Sequence, residues 1–306
     1  MKRRTWLAGA GLGLTGIAAT AAYRQSPMFW QQYAKELGQP VLAAPAKPSP
    51  HRWPDTGIHA AWLGHATVLL KIEGFTVITD PVFSTRVGIN LGPFTLGLKR
   101  IVESALPLDQ IPRVDAILLS HAHMDHFDIP TLRAMERKDL EVVTARGTSD
   151  LLSVDRYARV QEVGWEETVR VGPLTIRGLE VKHWGARVRT DTWRGYNGFL
   201  IESGRRRVLY AGDTAMTDAF QGLGGAELAL MPIGAYDPWI RNHCSPEQAW
   251  RMAEHARAGL VVPVHHATFN LSREPVTEPI ERLLDAAGTQ RDRVALQHIG
   301  AEISLA

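Results

Sequence analysis

The chain has 306 residues, 45% hydrophobic and 22% charged, enough apolar material for one large globular domain or two closely packed halves. Formal net charge is +2 with the charges scattered, so no polybasic stripe of the kind that grips nucleic acid is present. The single cysteine, Cys244, excludes an intrachain disulfide and a cysteine-built zinc site, so any metal has to be held by histidines and carboxylates.

At the N-terminus Lys2-Arg3-Arg4 precedes an apolar run over residues 6–22 that ends in small residues. That order predicts an export signal, and the arginine pair followed by Trp-Leu looks like a twin-arginine signal. At about 17 residues the run also sits at the short edge of what spans a bilayer. Residues 1–22 are therefore expected to be a signal peptide or an anchor, with the folded part periplasmic or tethered facing the periplasm. A cytoplasmic protein with a buried N-terminal helix is the alternative. Met28, Phe29, Trp30 and Tyr33 suit either a membrane interface or packing on the domain. The Pro/Ala-rich residues 43–50 read as extended linker, completing a 23–50 connection to a domain at 51–306.

Within that domain, 67–72 and 75–79 flank Glu73-Gly74 and predict a hairpin. Residues 114–119 predict a buried strand, followed by a loop and a helix over 129–137. Further strands are expected at 174–181, 196–201 and 207–211, the last two joined at Ser203-Gly204. Ser245-Pro246-Glu247-Gln248 opens a helix, with a serine cap, proline in the first position and glutamine three residues on. Residues 260–264 form an all-apolar strand, and a last helix over 278–287 stops at Gly288. Strands in runs with helices between them make the class mixed α and β.

Four of these strands each deliver histidine or aspartate from their C-terminal ends, the edge where α/β sheets build sites. The first ends in Ser120-His121-Ala122-His123-Met124-Asp125-His126, and the others in Lys182-His183, Gly212-Asp213-Thr214 and His265-His266. His-x-His on an extended chain points two imidazoles to one side, so one metal can take both. Asp125 and His126 then turn toward a second. Imidazole and carboxylate donors suit Zn²⁺, with iron or manganese as alternatives. Three histidines and an aspartate within six positions are too many polar groups to bury without a metal.

His-x-His-x-Asp-His, with a strand before it and Gly212-Asp213-Thr214 after, resembles the signature of the metallo-β-lactamase superfamily. The resemblance implies an α/β (α+β) fold, a four-layer αββα sandwich with a dinuclear site at one edge between the sheets. It implies one zinc held by His121, His123 and His183, a second by Asp125, His126 and His265, and Asp213 bridging the two Zn²⁺. Class B β-lactamases usually carry cysteine where Asp213 stands, which disfavours antibiotic hydrolysis. Trp62-Leu63-Gly64-His65-Ala66-Thr67, Thr79-Asp80-Pro81-Val82-Phe83-Ser84, Pro232-Ile233-Gly234-Ala235-Tyr236 and Thr268-Phe269 further resemble the N-acylphosphatidylethanolamine phospholipase D family. That family hydrolyses a lipid phosphodiester to N-acylethanolamine and phosphatidic acid, which implies a phospholipid substrate and contact with a membrane surface. The chain departs from it at Ala122, Met124 and His266-Ala267 and in its export-like start. Lactonase-like proteins share the Gly-His-Ala-Thr opening, so a lactonase or phosphodiesterase with a soluble substrate is the alternative. A redox or sensor protein that binds metal without hydrolysis is a rival from another class.

Around these ligands, His65 either approaches the metals or leaving group or is a backbone-bonded structural histidine. Asp125 and Asp213 are expected to orient the nucleophile and the metals. His243 suits donation to a phosphate oxygen or a proton relay, and Asp80 suits orienting a ligand imidazole. Tyr236 could donate to a phosphoryl oxygen. His266 should point away from the site, and the apolar loop at 91–96 packs on the domain or meets acyl chains.

Overall fold

Strands rich in valine, leucine and isoleucine build two sheets that face each other across one apolar layer, in a computed structural model that describes residues 27–92 and 95–306. The expected signal or anchor at 1–22 lies outside the described residues. The first sheet runs in the spatial order β15 (Glu302–Leu305), β1 (Ile58–Gly64), β2 (Thr67–Ile72), β3 (Phe75–Thr79), β6 (Ala116–Leu119), β7 (Glu141–Ala145), β8 (Arg159–Val163). The second runs β14 (Ala258–Val264), β13 (Ala226–Pro232), β12 (Arg206–Tyr210), β11 (Gly198–Ser203), β10 (Leu174–Leu179), β9 (Thr168–Val171). A separate hairpin pairs β4 (Arg86–Asn90) with β5 (Thr95–Lys99). This is the mixed α/β, two-sheet architecture expected from the sequence.

Period-two alternation sorts the core. Leu228 and Leu230 of β13 join the layer shared with Ile117 and Leu70 of the first sheet, whereas Ala229 and Met231 face the other way. That outer face is covered by α3 (Pro246–His255) and α4 (Glu278–Ala287) through Trp250, Met252 and Leu283. Helix α3 begins at a complete capping box, Ser245 accepting from the Gln248 N–H and Gln248 returning a bond to the Ser245 N–H. On the first sheet, α2 (Ile129–Ala134) contributes Leu132 to the core.

Several boundaries shift from expectation, three of them through a tertiary bond. Asp115 leaves β6 to accept from the Thr76 N–H, Arg137 leaves α2 to donate to the Val114 carbonyl, and Asn197 stays out of β11 to donate from its N–H to the Ser120 carbonyl. The expected linker is also corrected from residue 27 onward. Helix α1 (Pro27–Glu36) is tied to the domain by Glu36, whose carboxylate accepts from the Lys99 N–H at 2.8 Å and from Arg86, and Arg86 lies 4.9 Å over the Tyr33 ring. Tyr33 is thereby packed on the domain. Leu42 then bridges to Val102, Ser49 donates to Glu302 and Pro50 is buried, because proline-rich chain can pair at an edge without becoming a strand. Among the described residues no helix is long and apolar enough to cross a membrane.

Candidate metal centre

The expected ligands, with His65 and Asp80, lie in loops just beyond strands, whereas His243 precedes α3. β1 leads to His65, β3 to Asp80, β6 to His121, β10 to His183, β12 to Asp213 and β14 to His265. The turns are tight enough to force unusual backbone. His65, Asp80 and His265 all have positive φ, at 52°, 32° and 62°. Gly212, at φ 59°, has no room for a side chain, since a Cβ there would lie 2.5 Å from the Asn197 carbonyl oxygen. Asp213 therefore depends on glycine before it.

Three imidazole nitrogens converge first. His123 Nδ1 lies 2.9 Å from His121 Nε2 and 3.2 Å from His183 Nε2. Their tautomers follow from their outer partners. His183 Nδ1 donates to the Asn242 carbonyl at 2.8 Å, which leaves Nε2 as a lone pair. The Ser120 hydroxyl donates to Asp80, so it accepts from His121 Nδ1 at 2.9 Å, and His121 Nε2 is a lone pair as well. Burial holds His121, His123 and His183 below the usual histidine range, His123 at about 3. Two lone pairs thus face a third nitrogen at contact distance; a single proton on that nitrogen satisfies one of them, whereas a bound cation takes all three.

The second cluster gathers His65, Asp125, His126 and His265, whose ligand atoms all lie within 4.8 Å of one another. Asp213 Oδ2 lies between the clusters, 3.1 Å from His126 Nε2, 3.0 Å from His265 Nε2, and 3.9 Å from both His121 and His183 Nε2. Burial opposes charge on His265, but Asp213 overcomes it and lifts this imidazole to about 9. The same balance raises His126. Asp213 and Asp125 are in turn held ionised against burial, principally by His126. His126 Nε2, His265 Nε2 and Asp213 Oδ1 are buried without a hydrogen-bond partner. Those orphaned donor atoms and the all-nitrogen-and-oxygen set fit divalent metal ions.

All seven expected ligands are brought together, and the supporting residues divide. His65 is buried behind Asp125, its Nε2 3.1 Å from Asp125 Oδ2, and burial holds it near 3, so it is placed to fix that carboxylate. His243 stacks on His265 at 5.2 Å with its unpartnered Nδ1 3.8 Å from Asp213 Oδ2. Asp80 accepts from His126 Nδ1 at 2.6 Å. His266 stacks on Trp62, away from the ligands. The Tyr236 hydroxyl is corrected: it donates to Glu278 at 2.7 Å, a bond that occupies it. In the apolar loop, Leu91 is exposed. Sequence reasoning missed Tyr210, which donates to Asp80 from inside β12, and Asn242, whose backbone carbonyl orients His183. Neither has a local signal.

A family model described as a beta-lactamase superfamily domain matches residues 76–266, a span that includes all seven expected ligands. The chain belongs to the metallo-β-lactamase superfamily. It is similar to an uncharacterised protein of Mycobacterium tuberculosis, 31% identical over 287 residues, 90% of this chain and 76% of that one. It is also similar to N-acyl-phosphatidylethanolamine-hydrolyzing phospholipase D 1 of Caenorhabditis elegans, 29% identical over 78% of this chain and 72% of the relative. The mitochondrial enzyme of that name in Saccharomyces cerevisiae is 30% identical over 79% of this chain and 55% of its own length. Among solved structures, an isothiocyanate hydrolase from Delia radicum gut bacteria shares the fold, with TM-score 0.65 and 19% identity over 81% of this chain and 99% of that one. With its convergent donor set, this member of the superfamily is a metal-dependent hydrolase.

Proposed function

We propose that the protein is a zinc-dependent phosphodiesterase of phospholipase D type. Its substrate would be an N-acylphosphatidylethanolamine-like lipid and its products N-acylethanolamine and phosphatidic acid. The observation that carries the lipid choice is an apolar rim at the donor set. Trp184, 48% exposed, follows His183 and stands edge-on to the His123 ring at 5.0 Å. Trp239 and Ile240, 44% and 43% exposed, lie in the turn whose Asn242 carbonyl holds His183 and whose Trp239 carbonyl accepts from the His243 N–H. Large apolar side chains left in water beside a polar centre suit an interface, and Arg189 and Arg241 are exposed on the same loops. The likeness to two lipid phosphodiesterases over most of the chain supports the same reading.

Two zinc ions bound here would supply Lewis acidity toward the phosphoryl oxygens and an activated water at neutral pH. The chain's own residues do the rest. Asp213 holds the two clusters in one frame, and His65 orients Asp125. His243, kept neutral by burial at about 3, lies where it can donate a hydrogen bond to a phosphoryl oxygen. Hydrolysis adds the water oxygen to phosphorus and breaks the bond to the N-acylethanolamine oxygen, which leaves carrying the proton.

The deciding assay gives the zinc-loaded full chain N-acylphosphatidylethanolamine, plain phosphatidylethanolamine, a small chromogenic phosphodiester and a lactone. The rate on the N-acylated lipid should climb once it forms bilayers. No turnover of any phospholipid, alongside fast lactone opening, would move the protein to the soluble-substrate reading. We also place the folded part on the periplasmic side of the membrane. A reporter fused after residue 50 should leave the cytoplasm, and changing Arg3 and Arg4 to lysine should block a twin-arginine route; a reporter that stays cytoplasmic refutes the placement.

A further inference from the structure

The loop over residues 121–126 carries four metal donors in six positions, yet it is irregular chain beyond the end of β6. Backbone holds it at His121, which bridges to Tyr196, and within the loop where the N–H groups of His126 and Phe127 both donate to the His123 carbonyl. Most of the ligand rings have a second anchor on the far nitrogen. His121 has Ser120, His126 has Asp80 and His183 has the Asn242 carbonyl. His265 Nδ1 has none, and neither does His123, whose Nε2 is buried without a partner and whose ring meets Trp184 edge-on at 5.0 Å. Something other than a hydrogen bond to the ring has to fix where His123 points.

We propose that Arg187 is the positioning residue for His123, acting through the backbone of the donor loop. Arg187 Nη1 donates to the Ala122 carbonyl at 3.0 Å and to the Phe127 carbonyl at 2.8 Å, so one nitrogen ties the two ends of the loop together. The Ala122 carbonyl belongs to the peptide that joins residue 122 to His123, and turning that peptide would swing His123 Nδ1 out of the trio. Arg187 also lies four residues beyond His183, on the same loop between β10 and β11. The same clamp therefore sets the spacing between His183 and the His-x-His pair. The guanidinium lies 5.9 Å over the ring of fully buried Phe127, which limits its freedom. A cation this near to a metal centre is costly unless carboxylates offset it, and Asp125 and Asp128 both act on Arg187 in that sense.

The inference needs the metal donors but not the lipid reading, so a failed lipid assay leaves it standing. It distinguishes the two clusters. In Arg187→Met the trio of His121, His123 and His183 should bind zinc about 10- to 100-fold more weakly, the effect typical of losing a partner that orients a ligand. The cluster of Asp125, His126 and His265 should stay within about threefold, because His65 and Asp80 anchor it independently. Both bonds use one nitrogen, so Arg187→Lys, with three donors on Nζ, should recover part of the loss. Chelator competition gives the two zinc affinities, and cobalt(II) substitution reports each site by its absorption. The expected result is one weakened site in Met and partial recovery in Lys. Equal loss at both sites, no loss at either, or a lysine variant no better than methionine overturns the proposal. If the methionine variant fails to fold, the lysine variant must still show one weakened site.

Discussion

Asp80 is fully buried and its carboxylate accepts four hydrogen bonds. Oδ1 takes the Ser120 N–H at 2.7 Å, while Oδ2 takes the Ser120 hydroxyl, His126 Nδ1 at 2.6 Å and the Tyr210 hydroxyl at 2.5 Å. Asp80→Ala strands all four donors in the interior at about 1–3 kcal/mol each before relaxation. Alanine also fits the positive φ at this position poorly. Allowing for repacking, the expected loss is about 4–6 kcal/mol, comparable with the whole stability margin of many domains. Asp80→Asn separates charge from shape, because asparagine tolerates this backbone region and keeps one acceptor oxygen. Its amide N–H must then face a donor, and His126 loses the carboxylate charge that orients its ring from behind. Zinc affinity should fall about 10- to 100-fold, or ~1.4–2.8 kcal/mol. Denaturant unfolding of the metal-free protein and chelator competition measure the two effects. An alanine variant within ~1 kcal/mol of the parent, or an asparagine variant with parental zinc affinity, would refute the account of Asp80 as the hub behind the site.

Asp213→Ala removes the carboxylate shared by both clusters, so zinc content and hydrolysis should be lost together; full metal occupancy in that variant would sink the bridging assignment. Metal uptake should release protons at pH 7, because His126 and His265 are both raised in the metal-free protein and remain charged below their folded values. Affinity should therefore keep rising until pH passes about 9, the His265 value, and calorimetry in buffers of different ionisation enthalpy should detect the released protons. No proton release at pH 7 would contradict the raised values. Ser245→Ala removes one half of the α3 capping box and should cost about 1 kcal/mol. Calorimetry should show a fall in Tm of about 2–4 °C, with zinc binding unchanged.

The donor motif was legible from sequence because its information is local. His-x-His on an extended chain, the Asp-His that follows, and single donors at the ends of apolar strands all lie within a few residues of the pattern that reveals them. The α3 cap and the hairpin at Glu73-Gly74 were readable for the same reason. Tertiary structure decided what holds those donors. Tyr210 reaches Asp80 across 130 residues, and Arg187 reaches Ala122 across 65. In the second of these the acceptor is a backbone carbonyl, a group every residue carries, so no side-chain pattern announces it. Tyr33 suits an interface and a packed position equally until Arg86 is seen lying over its ring. Residue type shows what a group can bind, but the partner it meets depends on which distant segments the two sheets bring to one edge.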